Sequence, residues 1–286
     1  MYKINHLVIP NKIKFIGEIG INHNGNLKLA KKLIKKAKEI GCDYVKFQKR
    51  TVNKVYSEKY LNQKRISPWG KTQKEQKEGL ELNYEEYRSI DKYCSKIGIK
   101  WFASAWDDES LEFLKKFNLD YNKIASPLIT NLGLIKKIAK QKKHTFISTG
   151  MSKYKDIDKV VKIFRKKKCK FTILHCVSEY PCEEKNINLI NMIYLKKRYN
   201  CKIGYSGHES SLTPSVVAAM LGAEVIERHI TLDRKMYGSD QASSLSVDGF
   251  KRMIVMVKKI NKVLGKKKDF ITKNERINAK KLRYWI

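Results

Sequence analysis

Short β-type runs alternate with amphipathic helical stretches eight times along this chain, and that alternation constrains the fold more than any other feature. The β-type runs are K-F-I-G-E-I-G-I at 14–21, D-Y-V-K-F-Q at 43–48, K-W-F-A-S-A-W from 100 and Y-N-K-I-A-S from 121. They continue with H-T-F-I-S-T-G from 144, K-F-T-I-L-H-C-V from 170, K-I-G-Y-S-G-H from 202 and E-V-I-E-R-H-I-T from 224. Between them lie helical patterns. L-K-L-A-K-K-L-I-K-K-A-K-E-I closes at Gly41, a second pattern over 84–97 closes at Gly98, and the last covers 247–264. Glycine after a helix supplies the left-handed turn that ends it. Repeated βα units imply parallel strands. Eight of them in about 250 residues is the size of a (β/α)8 barrel. An open doubly wound sheet is the competing architecture, but no G-x-G-x-x-G turn follows any strand.

The expected organisation is a single domain, 1–286, with the barrel over about 13–265 and a short extension over 266–286. H-L-V-I-P-N-K at 6–12 is expected to form a hairpin plugging the barrel floor, and K-K-K at 266–268 a solvated turn. The polar stretch over about 49–83 is too long for a tight connection and is expected to be an ordered functional loop. No apolar run reaches the ~18 residues a membrane helix needs, and the first residues lack a signal-peptide apolar block.

A barrel places its chemistry at the C-terminal ends of the strands. Polar residues stand at those ends: Glu18, Asn22, His23 and Asn24 in the first unit, Lys46 and Gln48 in the second, and Ser104 in the third. Lys123 and Ser126 follow, then Ser148 and Thr149, Ser178 and Tyr180, Ser206 and His208, and Glu227 and His229. Residues two apart on a strand share a face, so Lys46 points with Gln48, Ser206 with His208, and Glu227 with His229. A lysine inside a barrel is costly to desolvate without a partner. Two of them among several hydroxyls suit an anion site for phosphate and carboxylate groups. His208 and His229 end neighbouring strands, so their imidazoles can converge, and such a pair suits a divalent metal. On spacing alone, a histidine in a strand is more often a satisfied core residue than a ligand. Glu227 reads either as a partner behind the site or as a salt bridge to a lysine on a neighbouring strand. His23 and His175 read as structural.

The net charge of +33 invites a nucleic-acid reading. Only 10 of the 61 basic residues are arginine, the residue that reads bases and phosphates bidentately. The lysines are spread over every helical pattern rather than gathered in a stripe, so no specific nucleic-acid partner is expected. Six cysteines show no C-x-x-C pair and read as free thiols of a cytoplasmic protein.

E-I-G-I-N-H-N-G, V-K-F-Q, K-I-A-S, S-T-G-M, H-C-V-S-E-Y-P, G-Y-S-G-H and I-E-R-H-I-T-L-D occur in this order, from about residue 12 onward. Taken together they resemble the sialic acid synthase family, which condenses phosphoenolpyruvate with N-acetylmannosamine-type sugars on a (β/α)8 barrel. The resemblance implies metal ligation by His208 and His229, with Mn2+ the expected ion and Mg2+ or Co2+ alternatives. It implies that Lys46 and Lys123 hold phosphoenolpyruvate. Ser126, Ser148, Ser178 and Ser206 would supply hydroxyl contacts and Glu18 a proton-handling carboxylate. Gln48, Tyr180 and Asp240 fall on sugar-contacting positions. A homodimer is implied as well. Three departures stand out. Ala105-Trp106-Asp107 replaces Thr-Pro-Phe, leaving Ser104 as the candidate for the threonine's phosphate contact. Leu128 occupies a position that is often Glu. The chain reaches Ile286 without the antifreeze-like domain that lends an arginine to the partner's sugar site. Other phosphoenolpyruvate-condensing barrels are the competing enzymes, but they need a sugar-phosphate clamp for which no R-G or K-P-R-T motif appears. An inactive paralogue and a basic RNA-binding protein complete the alternatives.

Overall fold

The structure is a computed structural model that describes residues 9–265 and 269–285. Among them, eight parallel strands form a closed barrel: β1 (Lys14–Gly20), β2 (Tyr44–Lys49), β3 (Lys100–Ala105) and β4 (Tyr121–Ile124), followed by β5 (His144–Ser148), β6 (Phe171–Cys176), β7 (Lys202–Gly207) and β8 (Val225–Thr231). Each strand pairs with the next, and β8 returns to β1. The helices after them are α1 (Leu27–Glu39), α2 (Tyr84–Ile97), α3 (Asp108–Lys115), α4 (Leu132–Lys140), α5 (Tyr154–Lys166), α6 (Asn191–Tyr199), α7 (Thr213–Met220) and α8 (Val247–Leu264). The (β/α)8 barrel read from the alternation is therefore the observed fold.

Local chemistry sets the helix ends. The side chain of Asn26 accepts from the Leu29 amide at the start of α1. Asn83 and Glu86 form a reciprocal capping box on α2, which ends at Gly98 with φ of 70°. Asp107, the last residue of the unusual A-W-D stretch, caps α3 by accepting from Ser110 and also holds the Thr51 amide and hydroxyl. It is a structural clamp between β3 and the loop after β2.

Strand alternation divides the barrel wall. Val45, Phe47, Trp101 and Ile147 face the helix layer and are buried there. On the inner face, Tyr44, Phe102, Tyr121 and Phe146 pack edge-on and tilted, with ring centroids 4.7–6.0 Å apart. They lie two residues before Lys46, Ser104, Lys123 and Ser148 on their strands, so an aromatic layer underlies the polar one.

The long connection after β2 carries structure of its own. It holds two short helices (Val52–Val55 and Glu58–Leu61), a hairpin (Lys64–Ser67 with Gly70–Thr72) and a helix (Gln73–Gly79). It packs across the loops after β1 and β8. Trp69 meets Tyr237 edge-on at 5.7 Å, and Asn24 donates to the Tyr237 carbonyl at 2.8 Å. Gly25, at φ of 62°, comes so close to the Gly79 carbonyl that a Cβ would sit 1.9 Å from its oxygen. Of the expected hairpin at 6–12, residues 1–8 lie outside the described residues, and Ile9–Ile13 is not strand. The expected turn at 266–268 also lies outside them. A last helix, Lys273–Leu282, buries none of its residues.

Candidate active site

Strand register brings the polar residues level. Glu18 on β1 is paired with Lys46 on β2 and with His229 on β8. Gln48 pairs with Ser104, and Ser104 with Lys123. Ser206 on β7 is flanked by Cys176 on β6 and Glu227 on β8. The side chains point inward and line a cavity of about 70 Å³ at the C-terminal end of the barrel. Its walls include Glu18, Lys46, Gln48, Lys123, Ser126, Ser148, Tyr180, Ser206, His208 and His229, ten of the residues singled out from sequence. Glu227, Cys176 and Trp106 line it as well.

Two lysines and two glutamates form a continuous ionic network there. Lys46 Nζ is 2.8 Å from Glu18 Oε2 and 3.5 Å from Glu227 Oε1. Lys123 Nζ is 3.0 Å from Glu227 Oε2 and donates to Ser148 Oγ at 2.7 Å. Gln48 Nε2 donates to Glu18 Oε1 at 2.8 Å. All four charged groups are buried, so each depends on the others for compensation. Burial alone would raise the pKa of Glu227, but the ammonium groups of Lys123 and Lys46 outweigh it and hold the carboxyl at about 2. Glu18 goes the other way: burial raises it, and Lys46 offsets this only in part. Burial also lowers Lys123, whereas for Lys46 the two glutamates outweigh burial and the shift is upward. Glu227 does form salt bridges, but with two lysines across the barrel, Lys46 and Lys123, rather than with a lysine on a neighbouring strand.

Beside the network lies a hydroxyl cradle. Ser126 Oγ accepts from the Gly150 amide at 3.1 Å and lies 3.4 Å from the Cys176 sulfur. A Cβ on Gly150 would stand 2.2 Å from Ser178 Oγ and 2.8 Å from Ser126 Oγ. Ser178 Oγ is buried without a hydrogen-bond partner among the described residues. It faces a neighbouring cleft of about 580 Å³ rather than the central cavity. Ser104 is buried behind the cavity, where its hydroxyl accepts from Trp106 Nε1 at 3.2 Å. Trp106, not Ser104, is the residue of that strand end that lines the cavity.

The two histidines converge with ring centroids 5.4 Å apart, and Tyr180 lies against His208 at 4.1 Å. His208 Nδ1 stands 2.7 Å from the Val177 carbonyl, an arrangement that has Nδ1 donating and leaves Nε2 its lone pair. His229 Nδ1 is buried with no hydrogen-bond partner among the described residues, 3.6 Å from the Asp240 carboxylate. Burial lowers His229 to about 3, so its imidazole is neutral and can donate a lone pair. This donor set fits a divalent ion, although among the described residues no three His, Cys, Asp or Glu converge as a complete site. Cys176 would be raised by burial, but His208, Ser126 and Lys123 around it bring its thiol down to about 7.

His175 Nε2 lies 2.6 Å from the Ile187 carbonyl. His23 Nδ1 accepts from the Gly25 amide, and burial lowers its pKa to about 4. Leu128 is buried in the core. Trp106 and Cys176 were missed from sequence, although both stand at strand ends, where polar neighbours drew the attention.

A buried ionic network, a hydroxyl cradle and paired imidazoles at the C-terminal end of its strands place this chain among the (β/α)8-barrel enzymes. The chain belongs to the NeuB family, whose model matches residues 33–269. It is 38% identical over 253 residues to the N-acetylneuraminate-9-phosphate synthase of Drosophila melanogaster, covering 87% of this chain and 68% of that one. It is 35% identical over 273 residues to the N,N'-diacetyllegionaminic acid synthase of Campylobacter jejuni, covering 93% and 82%. Its structure is similar to the N-acetylneuraminic acid synthetase of Leptospira borgpetersenii, crystallised in complex with citrate. The TM-score is 0.81 at 29% identity, covering 96% of this chain and 92% of that one.

Proposed function

We propose that this chain is a nonulosonic acid synthase that joins phosphoenolpyruvate to an open-chain N-acetylhexosamine and releases phosphate. The observation that carries this reading is the buried ring of Lys46, Lys123, Glu18 and Glu227 beside the Ser126, Ser148 and Ser206 hydroxyls, in a chain of the NeuB family. The relatives' names cover both phosphorylated and unphosphorylated products.

In this reading C3 of phosphoenolpyruvate bonds to the aldehyde carbon of the sugar. Water adds at C2, the C2–O bond to phosphate breaks, and the former aldehyde oxygen takes a proton. Lys46 and Lys123 hold the carboxylate and phosphate of phosphoenolpyruvate, with charge-assisted bonds that the low-dielectric cavity strengthens. Ser126, Ser148 and Ser206 receive its remaining oxygens. Glu18, raised by burial, is the carboxyl suited to passing a proton or orienting water. Gln48, Tyr180 and Asp240 position the sugar. His208 and His229 would hold a divalent ion, Mn2+ being our choice, which would supply Lewis-acid polarisation of the aldehyde. We take the protein to be a cytoplasmic homodimer.

The test is to incubate the protein with Mn2+, phosphoenolpyruvate and a panel of N-acetylhexosamines, and to follow phosphate release and product mass. Phosphate release tied to formation of the condensed acid is the expected result. No release with any aldose would overturn the reading.

A further inference from the structure

Lysines that are scattered along the sequence are gathered by the fold. All eight strands of the barrel run the same way, so the helices run back and end on the face opposite the cavity. Hydrogen bonds tie those ends to one another. Lys38 Nζ, at the end of α1, donates to the Gly98 carbonyl after α2 at 2.6 Å. The Cys169 thiol, after α5, donates to the Lys143 carbonyl after α4 at 3.1 Å. The Arg165 guanidinium on α5 donates to the Tyr199 carbonyl at the end of α6 at 2.5 Å.

This face is cationic. Each helix from α1 to α6, and α8, carries Lys or Arg in its last turn. The helix dipole favours a cation there, but it does not account for the connections that follow. Lys142 after α4 and Lys168 after α5 have φ of 56° and 51°, left-handed positions where glycine would cost less. Lys96, Lys142, Lys168, Lys170, Lys197 and Lys262 are exposed and make no ion pair among the described residues. Acids on this face are already engaged: Glu39 with Lys36, Asp120 with Lys100 and Glu224 with Lys202. On the cavity face the helix starts instead carry Glu85, Glu86, Asp108, Asp156 and Asp248.

Apolar side chains stand beside these charges. α8 ends on this face with Val263 and Leu264, 79% and 54% exposed. The helix Lys273–Leu282, which buries none of its residues, follows after one short connection. It exposes Ile277 and Leu282, and Tyr284 and Trp285 are exposed just beyond it. Lys273, Arg276, Lys280, Lys281 and Arg283 interleave with them.

Charge and apolar exposure together select the partner. A second copy of the chain would present the same cationic face and be repelled. A nucleic-acid backbone would neutralise the lysines but leave the apolar side chains uncovered, and only 10 of the 61 basic residues are arginine. An anionic bilayer answers both features: its headgroups attract the lysines, and tryptophan, tyrosine and aliphatic side chains enter its interfacial layer. We propose that the N-terminal face of the barrel, with the apolar side chains from Val263 and Leu264 to Trp285, docks peripherally on an anionic lipid surface. The cavity, on the opposite face, then opens away from the membrane toward its substrates. No helix among the described residues is long and apolar enough to cross a membrane, and docking of this kind requires none.

The experiment is co-sedimentation with vesicles of phosphatidylcholine, alone and mixed with phosphatidylglycerol. The expected result is binding to the anionic vesicles only, lost toward ~1 M salt, where charges are screened within about 3 Å. The triple variant Lys142→Gln, Lys168→Gln, Lys197→Gln should bind them about 100-fold more weakly, about fivefold for each cation removed. Leu282→Ser with Trp285→Ser should weaken binding several-fold and abolish the vesicle-induced blue shift of tryptophan emission. All five positions are exposed, so both variants should keep the wild-type melting temperature. Equal binding to both kinds of vesicle, or binding to neither, overturns the proposal. So does anionic-vesicle binding that the triple variant leaves unchanged. Tighter binding to duplex RNA than to anionic vesicles at the same salt would give the face to nucleic acid instead. A change of oligomeric state in the triple variant, read by sedimentation velocity, would give it to contact between copies.

Discussion

Lys123 Nζ stands 3.0 Å from Glu227 Oε2 inside the barrel, and both groups are buried. Because Glu227 also lies 3.5 Å from Lys46, one carboxylate balances two buried ammonium groups. Removing it leaves charge without compensation. Glu227→Gln should therefore lower folding stability by about 3 kcal/mol, the lower end for breaking a buried pair. Phosphate or phosphoenolpyruvate should recover part of the loss by restoring negative charge. The pH dependence has a definite sign. A carboxyl held at about 2 contributes stability that is complete above its ordinary value of 4.5 and is lost as pH falls from there toward 2. Denaturant titrations between pH 3 and 7 should show a shallower acid-side slope in the variant. Equal stability and an equal slope would mean that Glu227 is not the hub of the network.

Replacing either lysine by an apolar isostere should weaken ligand binding as well as stability, because a buried carboxylate then loses a cation. Each is expected to make charge-assisted bonds to phosphoenolpyruvate worth ~1.5–3 kcal/mol. Lys46→Met and Lys123→Met should each cost roughly 10- to 100-fold in the KM for phosphoenolpyruvate or in kcat. Steady-state kinetics with phosphoenolpyruvate varied would decide this. Wild-type constants in both variants would move the anion site elsewhere.

Gly150 offers a more local probe. An alanine there brings a methyl group within 2.2 Å of Ser178 Oγ and 2.8 Å of Ser126 Oγ. Both are hydroxyl tips that can rotate away, so the fold should lose under ~1.5 kcal/mol. The Ser126 hydroxyl, which lines the cavity, would then point away from the ligand. Gly150→Ala should raise the KM for phosphoenolpyruvate about tenfold, the worth of one charge-assisted bond, with little change in melting temperature. A large stability loss with unchanged KM would mean that the cradle is only structural.

The barrel was legible because its signal is periodic and repeated: Val45, Phe47 and Ile147 on one face and Lys46, Gln48 and Ser148 on the other follow from strand alternation alone. The inward set at the strand ends followed from the same rule. What alternation does not carry is which partner a side chain selects across the barrel. Glu227 could have met a lysine on an adjacent strand, yet it reaches Lys123, 104 residues away in sequence and four strands distant. Trp106 displaced Ser104 from the cavity wall because the large ring, held by Arg50 above and by its bond to Ser104, fills the space that a serine leaves. Ser178 and Asp240 lie past the strand ends, in loops, where periodicity gives no direction.

The paired histidines give the sharpest test. If His208 and His229 hold one divalent ion, chelation should abolish phosphate release and Mn2+ should restore it. His208→Ala and His229→Ala should each lose nearly all activity and bind far less metal. The double variant should be little worse, because ligands of one site act as a unit. Folding should survive metal removal, since a barrel with this much buried apolar surface does not depend on a metal for its stability, unlike a small zinc domain. A core role predicts the opposite pattern. The rings pack against each other at 5.4 Å and against Tyr180, so their loss as mere packing would lower the melting temperature of each variant. Chelators would then leave activity untouched. Metal content, melting temperature and phosphate release measured on the three variants separate the two, and a fully active enzyme free of metal in the presence of chelator would end the metal assignment.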